Sequence, residues 1–258
     1  MRFVRYQVNS DLNVIAFGLV KGDIVCELGS SFLSTCDETS RKYDINSVRL
    51  LPPVTPTKII GLGYNYKDLV GDKDKYDEPV IFLKPPSALI GHNHSITIDK
   101  SMKKVWTEVE LCIVIAKTAN NVTLDVADEF IFGFTIGNDV TTSNILNRDH
   151  HLARSKGWDT FCPIGPWIET EINTESLKLT NTINGKVFQE SNTNMRIYDD
   201  KTIVSHLSKM MTLHPGDIIM TGTPKNAENS VISDGDEVKI CIENIGELSN
   251  KVNLKKRI

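Results

Sequence analysis

The chain has 258 residues, 40% of them hydrophobic and 24% charged, with a formal net charge of −4. Those proportions suit a globular protein of one large domain, or one with a small appendage. The acidic balance excludes a general nucleic-acid binder, which needs a basic face, and the short run Lys255-Lys256-Arg257 reads as a solvated tail.

Met1 to Arg5 lacks the apolar core of a signal peptide and alternates like a first strand. No apolar stretch approaches the ~20 residues that cross a bilayer. The five cysteines (Cys26, Cys36, Cys112, Cys162, Cys241) are odd in number and lack CxxC spacing. Cys112 and Cys241 lie in apolar runs, where buried free thiols are expected. A cytoplasmic protein fits this pattern, with no membrane or nucleic-acid partner.

Residues 1 to about 50 carry short alternating runs, Phe3 to Gln7, Val14 to Val20 and Asp23 to Leu28, split by turn residues. Together they predict a small β-rich unit, 1–52. Leu51-Pro52-Pro53-Val54-Thr55-Pro56 then favours extended chain and reads as a linker to a larger unit, 53–258. Strand signals follow at Lys58–Leu62, Val80–Leu83, Ile218–Thr221 and Glu237–Glu243. Leu111 to Ala116 is apolar throughout, as a strand buried on both faces would be. Helical spacing is clearest from Thr202 to Met211, where Ile203, Val204, Leu207, Met210 and Met211 share a face behind Asp199 and Asp200 as caps. A second helix is expected after Thr142, through Ile145 and Leu146 toward His151. Strands outnumber helices without regular alternation, which predicts an α+β or mainly β body.

Trp106-Thr107-Glu108-Val109-Glu110-Leu111 opens the most apolar strand. Residues two apart on a strand share a face, so Glu108 and Glu110 point together. Asp139 closes a second strand-like segment, Phe132 to Asn138, whose glycines permit close backbone approach. Three carboxylates without His or Cys describe a hard-cation site for magnesium, manganese or calcium. Spacing alone leaves open an exposed edge strand whose glutamates face water. His92 and His94 have same-face spacing but no third ligand. His150 and His151, as neighbours, cannot share a helix face. Gly61-Leu62-Gly63 lacks the third glycine of a dinucleotide fingerprint. Thr221-Gly222-Thr223-Pro224 is either a β-turn or a set of hydroxyl and amide donors for a carboxylate.

Over roughly residues 56–255 the chain resembles the fumarylacetoacetate hydrolase family. The motifs run in order: Gly63-Tyr64-Asn65-Tyr66; Glu78-Pro79 with Phe82-Leu83-Lys84-Pro85; Glu108-Val109-Glu110-Leu111; Gly133-Phe134-Thr135 to Asn138-Asp139-Val140-Thr141; Lys156 to Pro166; Asn184-Gly185-Lys186 with Gln189 and Asn192-Thr193; Met211-Thr212-Leu213 with Pro215-Gly216-Asp217; and Thr221 to Pro224. The resemblance implies a mixed β-sheet fold of β-sandwich or β-roll type and a homodimer. It implies an enzyme that cleaves, decarboxylates, isomerises or hydrates small keto or dienoic acids. It places metal ligands at Glu108, Glu110 and Asp139, an active-site lysine at Lys156, and substrate contacts at Tyr64, Asn65, Gly222 and Thr223.

Departures cluster around one pocket. The family's water-activating His and Glu correspond here to Leu69 and Asp72, and leucine cannot move a proton. A substrate-contacting glutamine becomes Leu146, and Tyr64 stands where arginine is common. These changes favour decarboxylation or tautomerisation over hydrolysis, with His150 or His151 as substitute bases. The alternatives are a biosynthetic enzyme for a more apolar substrate, or a non-catalytic member kept as a ligand-binding or structural protein.

Overall fold

The computed structural model describes residues 1–9, 11–71, 77–143 and 149–255. Strand Val109–Ile115 lies inside the larger of two main sheets and is buried along its whole length, as its apolar run predicts. Val109 and Leu111 pack against a second, five-stranded sheet that includes Lys178–Ile183 and Glu237–Ile242. Ile113 and Ile115 pack toward the helix Asp200–Met210, while Cys112 and Val114 meet Ile59, Ile164 and Ile218 on the other face. The Lys178–Ile183 strand alternates exposed or half-buried with buried positions, the pattern of a sheet with one face on the core.

Asp199 caps the helix by accepting from the Thr202 amide at 2.8 Å, and Ile203, Val204 and Leu207 form its buried stripe. Each of those side chains contributes about 1.5–3 kcal/mol by leaving water. Met210, in the last turn, is instead exposed. The helix expected after Thr142 falls largely on residues outside those described, Leu146 among them; a single helical turn, Ala153–Lys156, follows. No helix among the described residues is long and apolar enough to cross a membrane.

The N-terminal strands Arg2–Val8, Asp11–Lys21 and Ile24–Leu28 form where alternation predicted them. They join the large sheet directly, because Arg2 and Phe3 pair with Glu169 and Ile168. The Met1 ammonium adds an ion pair to Glu169 at 2.7 Å. Leu51, Pro53, Val54 and Pro56 are buried, so this proline-rich stretch is a packed strap and not a free tether. Asp217 anchors the strap's end, accepting from the Thr57 amide and hydroxyl, the Lys58 amide and the Lys58 ammonium at 2.5–3.1 Å.

Candidate metal and substrate site

Two antiparallel strands create the site through their register. Val109 pairs with Asn138 and Glu110 with Gly137, so one further step sets Glu108 opposite Asp139. The Asp139 amide donates to the Glu108 carbonyl at 3.0 Å, consistent with that step. Cross-strand neighbours share a face, so all three carboxylates project to the same side. At Gly137, opposite Glu110, a Cβ would come 2.4 Å from Cys112 Sγ and 2.9 Å from Met220 Cε, so the glycine lets the core close beneath the site.

Ligand oxygens of Glu108, Glu110 and Asp139 lie within 4.8 Å of one another, and all three residues are buried. Among the described residues no other group of three potential ligands converges in this way. The edge-strand alternative is thereby corrected: these glutamates do not face water. Trp106 Nε1 and Thr141 Oγ1 both donate to Glu108 Oε1, at 2.7 and 3.1 Å. The Gly222 amide donates to Glu110 Oε2 at 2.6 Å.

Two lysines neutralise part of this charge. Lys156, at the end of its helical turn, is 7% exposed and reaches Glu108 Oε2 at 3.0 Å and Asp139 Oδ2. It is no surface lysine. Its ammonium also sits 4.9 Å from the centroid of the Phe82 ring. Lys84, wholly buried, takes Asp139 Oδ1 and donates to the Val140 carbonyl at 3.2 Å.

Burial works to raise the Asp139 carboxyl, but Lys156 and Lys84 outweigh it and hold the group below the usual range. Burial likewise raises Glu108, against the pull of Lys156. Glu110 is pushed well above its ordinary value by burial first, then by Asp139 and Glu108. Burial depresses the Lys156 ammonium, but Asp139 and Glu108 more than reverse this and raise its pKa.

With all three carboxyls ionised, two ammoniums would leave one surplus negative charge in a buried space, which is what raises Glu110. The least compensated of the three is Glu110, which makes no ion pair among the described residues. Hard oxygen donors with unmet charge fit a divalent cation.

The substrate-side expectations divide. Asn65 is buried, with its amide fully engaged: Nδ2 donates to the Thr221 carbonyl at 2.7 Å and Oδ1 accepts from the Tyr198 amide at 2.8 Å. It therefore braces the 221–224 loop. The Gly222 amide is directed at Glu110, and a Cβ there would come 2.9 Å from the Asn65 Cβ. Thr223 is nearly buried, its hydroxyl 3.0 Å from Gln189 Nε2. Tyr64 is 52% exposed with φ of 58°. Leu69, on the turn Lys67–Val70, is 37% exposed; Asp72 lies outside the described residues.

No histidine contacts the carboxylates among the described residues. His92 Nδ1 accepts from the Ser249 amide, and the His94 ring lies between the Gly91 amide (3.3 Å from Nδ1) and Arg49 Nε (3.1 Å from Nε2), of which a neutral imidazole accepts from one, so these rings serve the loop structure. His150 and His151 are exposed. Lys84, Trp106, Thr141 and Gln189 take site roles that their local sequence does not assign. The alternation of Phe82 and Lys84 before a proline was the available signal for Lys84.

Residues 58–253 match the family model described as fumarylacetoacetate (FAA) hydrolase C-terminal, and residues 1–53 match one described as Rv2993c-like, N-terminal. Among solved structures, 5-carboxymethyl-2-hydroxymuconate delta-isomerase from Mycobacterium smegmatis is 38% identical with a TM-score of 0.91, covering 99% of this chain and 100% of its own. Maleylpyruvate hydrolase from Sphingobium sp. SYK-6, in complex with manganese(II) ion and pyruvate, is 27% identical with a TM-score of 0.80 and the same coverage. Among curated relatives, the mitochondrial oxaloacetate tautomerase Fahd2a of Rattus norvegicus is 34% identical over 224 residues, 80% of this chain and 70% of that protein. The matched model spans most of the sequence and the neighbours share the sheet-rich architecture over its whole length, so the chain belongs to the fumarylacetoacetate hydrolase family.

Proposed function

We propose that the chain is a divalent-metal-dependent enzyme that interconverts keto and enol forms of a small 2-oxo or 2-hydroxydienoic acid, through an enolate. The observation that carries this reading is the convergence of Glu108, Glu110 and Asp139 beside the Lys156 ammonium. Those three carboxylates would hold the cation, magnesium or manganese before calcium. When bound, such an ion supplies Lewis-acid polarisation of a chelating 2-oxo carboxylate.

The rest falls to the chain's own residues. Lys156, kept protonated by its carboxylate neighbours, stabilises developing enolate charge and does not act as a base near neutrality. Phe82 packs against that ammonium and keeps its position defined. Thr223 holds the substrate carboxylate, and the 221–224 loop is kept in place by Asn65 and Glu110. Leu69, where a water-activating histidine would stand, supports proton shuffling over hydrolysis. The isomerase and tautomerase among the relatives are in keeping with this; the hydrolase marks the competing chemistry. A cytoplasmic homodimer belongs to the same proposal.

The test follows oxaloacetate enol decay in the ultraviolet, with pyruvate release measured alongside. Faster ketonisation that needs added Mg2+ or Mn2+ and releases little pyruvate supports the reading. Equal rates with and without metal, or no rate above buffer, would sink it.

A further inference from the structure

Gln189 lies in strand Lys186–Asn192 and is completely buried between the metal strand and the 221–224 loop. Its Oε1 accepts from the Val109 amide at 3.2 Å, the residue between Glu108 and Glu110, and from Asn181 Nδ2 at 3.0 Å. Its Nε2 lies 3.0 Å from the Pro224 carbonyl, 3.3 Å from the Lys225 carbonyl and 3.0 Å from Thr223 Oγ1. A backbone N–H can only donate and a carbonyl can only accept, so these groups dictate which end of the amide faces which side. Asn181 is fixed the same way, because its Nδ2 also donates to the Thr107 carbonyl at 3.2 Å.

A hydroxyl has one proton to give. Gln189 Nε2 has two protons to share among three oxygens and can accept none, so Thr223 Oγ1 can only be on the accepting side of this contact and keeps its own proton available. No protein acceptor takes that proton among the described residues, and Thr223 follows directly on the amide that holds Glu110. We propose that Gln189 is a positioning residue that sets the polarity of the Thr223 hydroxyl, making it an obligate donor to an anionic oxygen of the substrate. The same amide ties that donor to the strand bearing Glu108 and Glu110, so the two halves of the site hold a constant relation. A buried donor awaiting an acceptor selects a carboxylate or enolate over a neutral isostere, which would leave it unpaired.

This inference rests on the proposed reading of the site, and its test separates the two. The probes are Mn2+ alone and then oxalate, a planar dianion resembling the enolate of a 2-oxo acid, titrated calorimetrically into the full chain. Thr223→Val is expected to weaken oxalate about tenfold or more, the worth of a charge-assisted hydrogen bond. Thr223→Ser restores it, and Mn2+ affinity stays within about twofold of wild type in both, because neither residue is a ligand. Gln189→Glu presents an acceptor to Thr223 and turns its proton inward. It weakens oxalate in the wild-type background but adds nothing in the Thr223→Val background, whereas mere loss of structure would add in both and weaken Mn2+ too.

Oxalate binding unchanged by Thr223→Val, or additive losses in the double variant, overturns the inference while leaving the metal site standing. A wild-type chain that binds no Mn2+ or no oxalate overturns the site reading and this inference with it. Should Gln189→Glu fail to fold, a neutron structure of the wild type decides by its deuterium positions. A Thr223 deuteron pointing away from Gln189 supports the assignment, and one pointing at it overturns the assignment.

Discussion

The Lys84 ammonium and the Asp139 carboxylate form an ion pair in which neither side chain has any exposed surface. Lys156 takes the other carboxylate oxygen of Asp139, so one acid bridges two buried lysines. The two lysines differ in what else they hold: Lys84 is tied to the Val140 carbonyl, and Lys156 to Glu108.

Removing either lysine strands buried negative charge, and breaking such a pair from one side costs about 3–5 kcal/mol. Lys84→Met and Lys156→Met should therefore both lower the melting temperature, by about 2–4 °C per kcal/mol in a chain of this size. Saturating Mg2+ should recover more of the loss in Lys156→Met, because Lys156 contacts two of the three proposed ligands and Lys84 only one. Calorimetry with and without MgCl2 checks this; equal recovery in both variants counts against the assignment.

Glu110→Gln should stabilise the metal-free protein. Burial and the two neighbouring carboxylates disfavour charge on Glu110, and glutamine keeps an oxygen for the Gly222 amide. The same substitution should abolish the thermal shift that a divalent ion produces, which for one site at a hundred times its Kd amounts to about 2.7 kcal/mol. A variant less stable than metal-free wild type, or one that keeps the full shift, contradicts the account.

Asp217 should govern acid stability of the strap. Burial raises its carboxyl, but Lys58, the His214 amide and Thr57 outweigh this and hold it below the usual range. The unfolded chain therefore takes up this proton first on acidification. The group's contribution is complete above the unfolded value, about 3.9, and disappears as pH falls through the lower folded value. Asp217→Asn should cost about 2 kcal/mol at pH 7, with the gap to wild type narrowing as pH falls below the unfolded value of about 3.9. Urea melts at several pH values measure it, and a gap independent of pH would refute the clamp.

Gly61→Ala should impair Lys156 without touching it. A methyl group at Gly61 would land inside the Phe82 ring, which faces the Lys156 ammonium. Overpacking of this kind costs about 1–3 kcal/mol. The expected result is a lowered kcat for enol turnover with Mn2+ affinity retained; full activity in a destabilised variant would detach Phe82 from the site.

The elements that local chemistry controls were legible in the sequence. Alternation marked the N-terminal strands, the unbroken apolar run marked Val109–Ile115, and Asp199 marked the start of its helix. The packing of the proline-rich strap was not legible. Prolines announce extended chain, but whether that chain is covered depends on partners such as Asp217, 160 residues away.

The three carboxylates show where that boundary lies. Period-two spacing along one strand puts Glu108 and Glu110 on one face without reference to anything else in the chain. Only a register relates that strand to Asp139, and a register is a property of two strands. A slip of one residue would have turned Asp139 and its neighbours to the opposite face. The buried lysines, and the amide of Gln189 with its fixed sense, lie further from the sequence still. Their roles come from which backbone groups surround them, and only the closed tertiary structure brings those groups together.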